Sequence, residues 1–469
     1  MDFIDFNRQI PVTGDADVLV AGGGLGGISA ALAAARAGSR VILVETNGFL
    51  GGVATAGMCC SVFNCLFSRQ RELLINGIPL EIVDALATKA GGPGMSWREH
   101  KGHIIYDVEQ AKLLLSDLLI QAGVQIRLNS PVLDALCDNG RVNALVVGGK
   151  NGPEAITCRV LIDATGDCDA AALAGAPFVQ KPSVKATYVF RLGNVDVDRF
   201  VEYLRTHPEE YPNGVDIEWT LDEAVRQYKA CGTFLFPHHG GMQLSGLSRA
   251  IETGDYSKTY GNYTILDATQ MHLIRDTGIC HVITGYVPND KLDAVSLSKS
   301  IHEGKQIAYY FTHCANKYLP GFEHAFVNGT ADDLGIRGSR TIVGESTFTR
   351  EMKSSSYRCA DAIGTGVVET VEKLHKNKKT GTAQVFGNDI YEIPLSCLIP
   401  KGTDNILIGA GRGADTDPPL LLRVMVTTMA VGQGAGVTAA IAAKTATRIK
   451  ETDYTAIRQE LIRQGVRFG

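Results

Sequence analysis

The sequence predicts an α/β protein: a mostly parallel sheet layered with helices and interrupted by an inserted α+β segment. Three observations carry that prediction. A short apolar run, Val18 to Ala21, opens into a glycine-crowded turn, a helix former and a second apolar run. Further apolar runs that end in glycine recur at 161–166 and 405–411. Between these lies a stretch of other character, 176–330, rich in tyrosine and holding His238, His239, His272, His281, His302 and His313. Of the 469 residues, 45% are hydrophobic and 20% charged, which leaves room for a large core and excludes wholesale disorder. Lys plus Arg is 45 and Asp plus Glu is 50, so the net charge of −5 argues against a nucleic-acid binder held by a basic face.

The first element is a buried parallel strand, as a continuous apolar run of this length implies. Gly22, Gly24 and Gly27 follow in the G-x-G-x-x-G spacing, with Leu25 and Gly26 between them. Gly22 permits a tight turn, Gly24 lets backbone amides approach a pyrophosphate, and Gly27 lets the next helix pack closely on the strand. The helix from Ile28 to Ala37 would then aim its positive N-terminus at phosphate. A second strand, Arg40 to Val44, ends in Glu45, which suits a ribose hydroxyl. Strand, turn, helix, strand and acid together make a Rossmann-like dinucleotide-binding unit. Val18 to Ala35 carries no charge over eighteen residues, a length that could span a membrane. Its five glycines and its division into β-branched and alanine-rich halves favour strand, turn and helix, so no membrane span is expected.

After Glu45 comes a loop with Gly51, Gly52, Val53, Ala54 and Thr55. Downstream lie Ser130-Pro131-Val132, then Asp163-Ala164-Thr165-Gly166-Asp167, and near the far end Asn405 to Gly409, Ala410, Gly411 and Arg412. A helix begins near Arg423, Val424 and Met425 and contains Gly432-Gln433-Gly434-Ala435-Gly436. In this order these motifs resemble the FAD-dependent oxidoreductases of the glutathione-reductase-like superfamily. The resemblance implies an FAD-binding domain with a substrate-capping domain inserted. It implies that Val132 lends backbone near adenine, that Thr165, Gly166 and Asp167 close the cofactor site, and that the carboxyl-terminal segment covers the ribityl chain and isoalloxazine.

The cofactor domain is therefore expected to be discontinuous, with residues 1–175 and 331–469 enclosing a cap of 176–330. Within the cap, Thr187 to Gly193 reads as a strand, Asp198 to Arg205 and Asp222 to Ala230 as short helices, and Ala294 to Tyr310 as a longer one. The basic run Lys373 to Lys379 reads as a solvated loop.

Candidates for chemistry are fewer. His238 and His239, between Phe236-Pro237 and Gly240-Gly241, could serve as a general base. Gly335 to Arg340 is similar to a family signature G-[IV]-R-E-S-R, with Gly338 in place of the acid. Arg337 and Arg340, three apart, would share one side of a helical turn, where they could fork a carboxylate or brace the cofactor domain. Asp415 and Asp417 stand in the loop before the last long helix, and Asp417-Pro418-Pro419 departs from the family's pattern. Cys60 and Cys65, with four residues between them, have the spacing of a redox disulfide, but Cys60 follows Gly52 by eight residues, farther than in disulfide reductases. None of the eleven cysteines makes the C-x-x-C spacing of a metal site. Reduced thiols and a start without a signal-peptide pattern point to the cytoplasm.

The expectation is thus an enzyme that binds FAD and passes hydride between flavin N5 and a small organic substrate, oxidising C–OH or C–N or reducing an activated C=C. The alternatives are a thiol/disulfide oxidoreductase using Cys60 and Cys65, or a non-catalytic binding module on the same fold. No second nucleotide fingerprint is visible, so a separate electron donor or acceptor is expected, with homo-oligomerisation possible.

Overall fold

A computed structural model describes residues 7–469 except 63–64, 93, 95–96, 98–103, 181–183, 213–219, 238–242, 266–269, 290–291 and 374–381. The first apolar run becomes β1 (Val12–Ala21), followed by α1 (Leu25–Arg36) and β2 (Val41–Val44). The remaining strands of this sheet are β3 (Gln125–Arg127), β4 (Val132–Asp138), β5 (Arg141–Gly149) and β6 (Gly152–Asp163). The order is β3-β2-β1-β6-β5-β4. β1 pairs in parallel with both β2 and β6, with Val18, Leu19 and Val20 opposite Val41, Ile42 and Leu43 on one side. All of these side chains are buried, as expected for a parallel strand covered on both faces.

The second sheet follows in sequence. Its strands include β7 (Val184–Gly193), β8 (Thr233–Phe236), β9 (Gln270–Ile274), β10 (Ile279–Asn289), β11 (Phe326–Thr330) and β12 (Gly335–Ile336). They run β8-β9-β10-β7-β11, with β12 also on β7. Its helices include α2 (Val197–Thr206), α3 (Leu221–Cys231) and α4 (Ala294–Tyr318), which extends eight residues past the expected end. One face of the sheet carries Phe190 and Phe234, which pack edge-on against Phe311 of α4 and Phe200 of α2. Strand pairing in this sheet continues to Ile336, beyond residue 330.

The chain then returns to the first sheet. β13 (Ile406–Ile408) pairs in parallel with β6, Ile406 opposite Leu161. Asn405 fixes the join: its side chain accepts from the Val142 N–H at 2.9 Å and donates to the Val142 and Arg159 carbonyls at 2.8 Å each. It is fully buried, so this satisfied amide is a staple and not a cost.

The long terminal helix α5 (Met425–Thr445) is apolar and long enough to cross a membrane, but most of it is buried inside this fold. Small residues let it press on its neighbours. A Cβ at Gly432 would stand 2.1 Å from the Gly26 carbonyl oxygen, and one at Gly436 would stand 2.2 Å from that of Ala30. Both meet α1, as residues four apart share a helix face. A Cβ at Gly434, on another side, would stand 2.5 Å from the Ile363 carbonyl oxygen. The glycines at 432, 434 and 436 are thus used for helix packing. Thr428, in the first turn of α5, also lies beside Gly26 of the glycine turn. The eighteen-residue uncharged stretch is divided between β1 and α1.

Candidate functional site

The glycine turn has a physical peculiarity. A Cβ at Gly22 would lie 2.5 Å from the Ala164 carbonyl oxygen, one at Gly26 would lie 2.3 Å from that of Gly409, and one at Gly27 would lie 1.9 Å from that of Gly22. The fold itself forbids a side chain at those three positions. Gly24 is different. Its φ of −69° and ψ of 174° are open to any residue, and the nearest atom to an added Cβ is the Gly52 Cα at 4.0 Å. Nothing in the protein needs glycine there, so the free space beside Gly24 is space for something else. α1 begins at that point with no side chain capping it, and α5 also begins, at Val424, without a side-chain cap. Uncapped helix starts leave N–H groups and positive dipole ends to meet an anion.

Gly51 and Gly52, with φ of 116° and 55°, bend the next loop against this space, and Gly51 bridges to Gly24. Positive φ at both explains why glycine stands there. Val53 and Ala54 complete one 3₁₀ turn, with Ala54 buried and Val53 exposed. Glu45 is buried at the end of β2. One carboxylate oxygen accepts from the Gly23 N–H at 2.6 Å, and the other accepts from the Asn47 backbone and side-chain N–H groups. A carboxylate offers about four acceptor sites, so these three donors leave it capacity for a hydroxyl. The Ser130 N–H donates to the Glu45 carbonyl at 2.8 Å, which places Val132, the first residue of β4, near the same end of β2.

The Thr165-Gly166-Asp167 turn is held by protein groups. The Thr165 hydroxyl donates to Asp163, whose buried carboxyl is pushed up to about 6 by desolvation. Asp167, also buried, accepts from the Ser339 hydroxyl at 2.8 Å and from Arg412 at 2.9 Å. Arg412 further donates to the Gly166 and Ile336 carbonyls, at 2.7 and 2.6 Å. Gly411 packs its backbone on Leu422, where a Cβ would stand 1.9 Å from the carbonyl oxygen. The side chains of Thr165, Asp167 and Arg412 are thus engaged with protein groups and tie this turn to the segments around Ser339 and Arg412.

The arginine pair departs from expectation. Arg337 follows the strand β12 and Arg340 opens a second short strand, Arg340–Ile342, so neither lies on a helix. Pairing with β7 and with Phe178–Gln180 holds the segment extended. Arg337 sits over the Tyr286 ring at 4.9 Å, whereas Arg340 lies 2.8 Å from Asp169 and over Phe178. The two do not form one fork. Asp417 is exposed in a two-residue strand, Thr416–Asp417, paired with Phe348–Thr349. His238 and His239 lie outside the described residues. Cys60 and Cys65 are both buried and neither is in a disulfide, and burial pushes the Cys60 thiol well up, which opposes formation of a thiolate.

A further group was not legible in the sequence. On the face of the second sheet opposite to the phenylalanines, Arg191 of β7, His281 of β10 and His272 of β9 stand directly across from one another in successive strands. This face meets the loop that continues from Gly52. Cys60 Sγ is 3.6 Å from His272 Nδ1, and Ser61 Oγ is 3.1 Å from its Nε2. The Asp332 and Asp333 N–H groups donate to the Ala56 carbonyl in the same region. Cys59, also in this loop, lies within electrostatic reach of Arg423 at the start of α5. The glycine turn, the loop 51–61, the start of α5 and a polar face of the second sheet thus converge.

Residues 17–461 match the family model described as FAD dependent oxidoreductase. The chain belongs to that family. It is accordingly a flavoenzyme, and FAD is its cofactor. Among characterised proteins it is similar to the thiamine thiazole synthase of Aeropyrum pernix, 28% identical over 252 residues, covering 51% of this chain and 83% of that one. Among solved structures it is similar to a geranylgeranyl bacteriochlorophyll reductase-like protein of Thermoplasma acidophilum, at 15% identity and a TM-score of 0.46, covering 97% of this chain and 84% of that one. It is also similar to the p-nitrophenol 4-monooxygenase of Pseudomonas putida, at 12% identity and a TM-score of 0.39, over the same shares of the two chains.

The residues present fit FAD. The space at Gly24 and the uncapped start of α1 suit a pyrophosphate, Glu45 suits a ribose hydroxyl, and the uncapped start of α5 suits the polar edge of a flavin.

Proposed function

We propose that this enzyme transfers hydride between flavin N5 and a carbon of a small organic substrate held against the polar face of the second sheet. Oxidation of C–OH or C–N and reduction of an activated C=C are the reactions in view. The observation that carries the reading is the convergence of the loop 51–61 with the His272 face, because it sets buried donors opposite the residues that follow the cofactor cradle.

FAD, when bound, supplies the two-electron redox group. The chain's own residues do the rest. The N-terminal end of α1 and Gly24 hold the diphosphate, and the start of α5 favours negative charge on the ring by its dipole. The second sheet excludes water and orients the substrate, which is where positioning lowers the barrier. His272 is the described group best placed to hold a proton in this region, since both its ring nitrogens face a neighbour, Cys60 Sγ at 3.6 Å and Ser61 Oγ at 3.1 Å. The described residues contain one dinucleotide cradle, so electrons pass to or from a separate donor or acceptor.

Anaerobic titration of the FAD-loaded enzyme with a panel of alcohols, amines and enoates tests this. One class should bleach the oxidised band, or reoxidise the reduced band, within turnover time. If none exchanges electrons in either direction while the enzyme reacts rapidly with dithiols, the thiol reading replaces it.

A further inference from the structure

The row across the second sheet contains atoms that the protein does not satisfy. His281 is fully buried, and neither of its ring nitrogens has a hydrogen-bond partner. Arg191, directly opposite it, is 11% exposed and has a buried Nε without a partner. Its Nη1 lies 3.6 Å from Glu109, a carboxylate more than half exposed, which is a long pair and leaves the rest of the guanidinium uncommitted. Gln270, two residues before His272 and so on the same face of β9, has a buried Oε1 without a partner as well. Three unsatisfied polar side chains on one buried face are a cost to the fold if nothing answers them. Native folds retain such groups where a ligand completes them.

The donors decide what the ligand is. Arg191 can only donate, through a planar fork that matches a carboxylate. His281 can add a second donor from the next strand. Burial holds its imidazole down at about 3, so it enters as a neutral N–H donor and not as a competing cation. Gly329, opposite Arg191 on β11, puts no side chain over the guanidinium, and a Cβ there would already touch Arg191 and Met58 at 3.4 Å.

We propose that Arg191 and His281 bind a carboxylate of the substrate, so that this flavoenzyme acts on a small organic acid. The inference rests on the proposed function for the word substrate, but the carboxylate site can be tested apart from it. An acid seated on Arg191 would place its neighbouring carbons along the row toward His272 and the loop 58–61, which lies on the cofactor side.

The test compares acids with their neutral isosteres on the FAD-loaded wild-type enzyme: acetate with acetamide, benzoate with benzamide, and succinate with succinamide. Binding is read by perturbation of the flavin absorption and, separately, by the rise in Tm that a ligand selective for the folded state must cause. At least one acid should bind, with its amide weaker by about tenfold or more, as loss of a charge-assisted fork implies. Arg191→Gln should remove that preference, and His281→Leu should weaken the acid while leaving the protein folded. Acids and amides that bind alike, no response to any acid, or an Arg191→Gln enzyme that keeps the acid's affinity would each overturn the proposal. A protein that takes up no FAD would sink the proposed function instead, while the Tm comparison would still decide the carboxylate site.

Discussion

Arg412 Nη2 lies 2.9 Å from the Asp167 carboxylate, which joins a loop near the carboxyl end of the chain to the turn after β6, 245 residues earlier. Asp167 is almost wholly buried, and its second oxygen is taken by Ser339. The pair therefore locks two distant pieces of the cofactor site to one another and to the segment around residue 339.

Replacing Arg412 with Met should leave a buried carboxylate without its cation. Such a loss costs about 3 kcal/mol or more. Ser339→Ala removes one neutral donor and should cost about 1 kcal/mol. Urea unfolding should show the larger fall in midpoint for Arg412→Met, and FAD affinity should fall with it because the Gly166 backbone is released.

His281 gives a pH dependence with a definite sign. Its folded-state value is depressed to about 3, first by burial and second by Arg191, from an ordinary value near 6.5. The folded protein thus refuses a proton that the unfolded chain accepts. The stability contribution is full above pH 6.5 and is lost as pH falls from there toward 3, at up to about 1.4 kcal/mol per pH unit. Urea midpoints at pH 7, 6 and 5 should fall more steeply for wild type than for His281→Leu. Equal slopes would show that this imidazole does not titrate as described.

Cys65 separates the flavin reading from the disulfide reading. A buried thiol that touches no reacting atom has no part in hydride transfer, so Cys65→Ala should leave the rate of flavin reduction by the organic substrate within about twofold. A mechanism built on a Cys60–Cys65 disulfide would lose turnover altogether. Stopped-flow reduction of the two enzymes distinguishes these outcomes.

The cofactor half of the molecule was legible because its requirements are local. The spacing of Gly22, Gly24 and Gly27, the strands on either side and Glu45 are each dictated within a few residues, and Asn405 marks the returning strand. The same reasoning says less about elements whose meaning depends on partners. Gly432, Gly434 and Gly436 read as part of a helix, but that they press on the carbonyls of Gly26, Ala30 and Ile363 follows only from tertiary packing. Arg337 and Arg340 look like a helical fork until β12 pairs with β7 and draws them apart. The row of Arg191, His281 and His272 was invisible for the same reason. They lie on three separate strands, and only cross-strand register brings 191, 281 and 272 side by side.

The central claim is that the space at Gly24 is built for the cofactor and not for the fold, and two glycines three residues apart test it directly. Gly24→Ala introduces a methyl group with no protein atom nearer than 4.0 Å, whereas at Gly27 the same change collides with the Gly22 carbonyl oxygen at 1.9 Å. Titrating FAD into the deflavinated proteins, with Tm measured alongside, should show Gly24→Ala folded as wild type but binding FAD about tenfold or more weakly, and Gly27→Ala with a clearly lowered Tm. A Gly24→Ala protein that binds FAD as tightly as wild type would contradict the account.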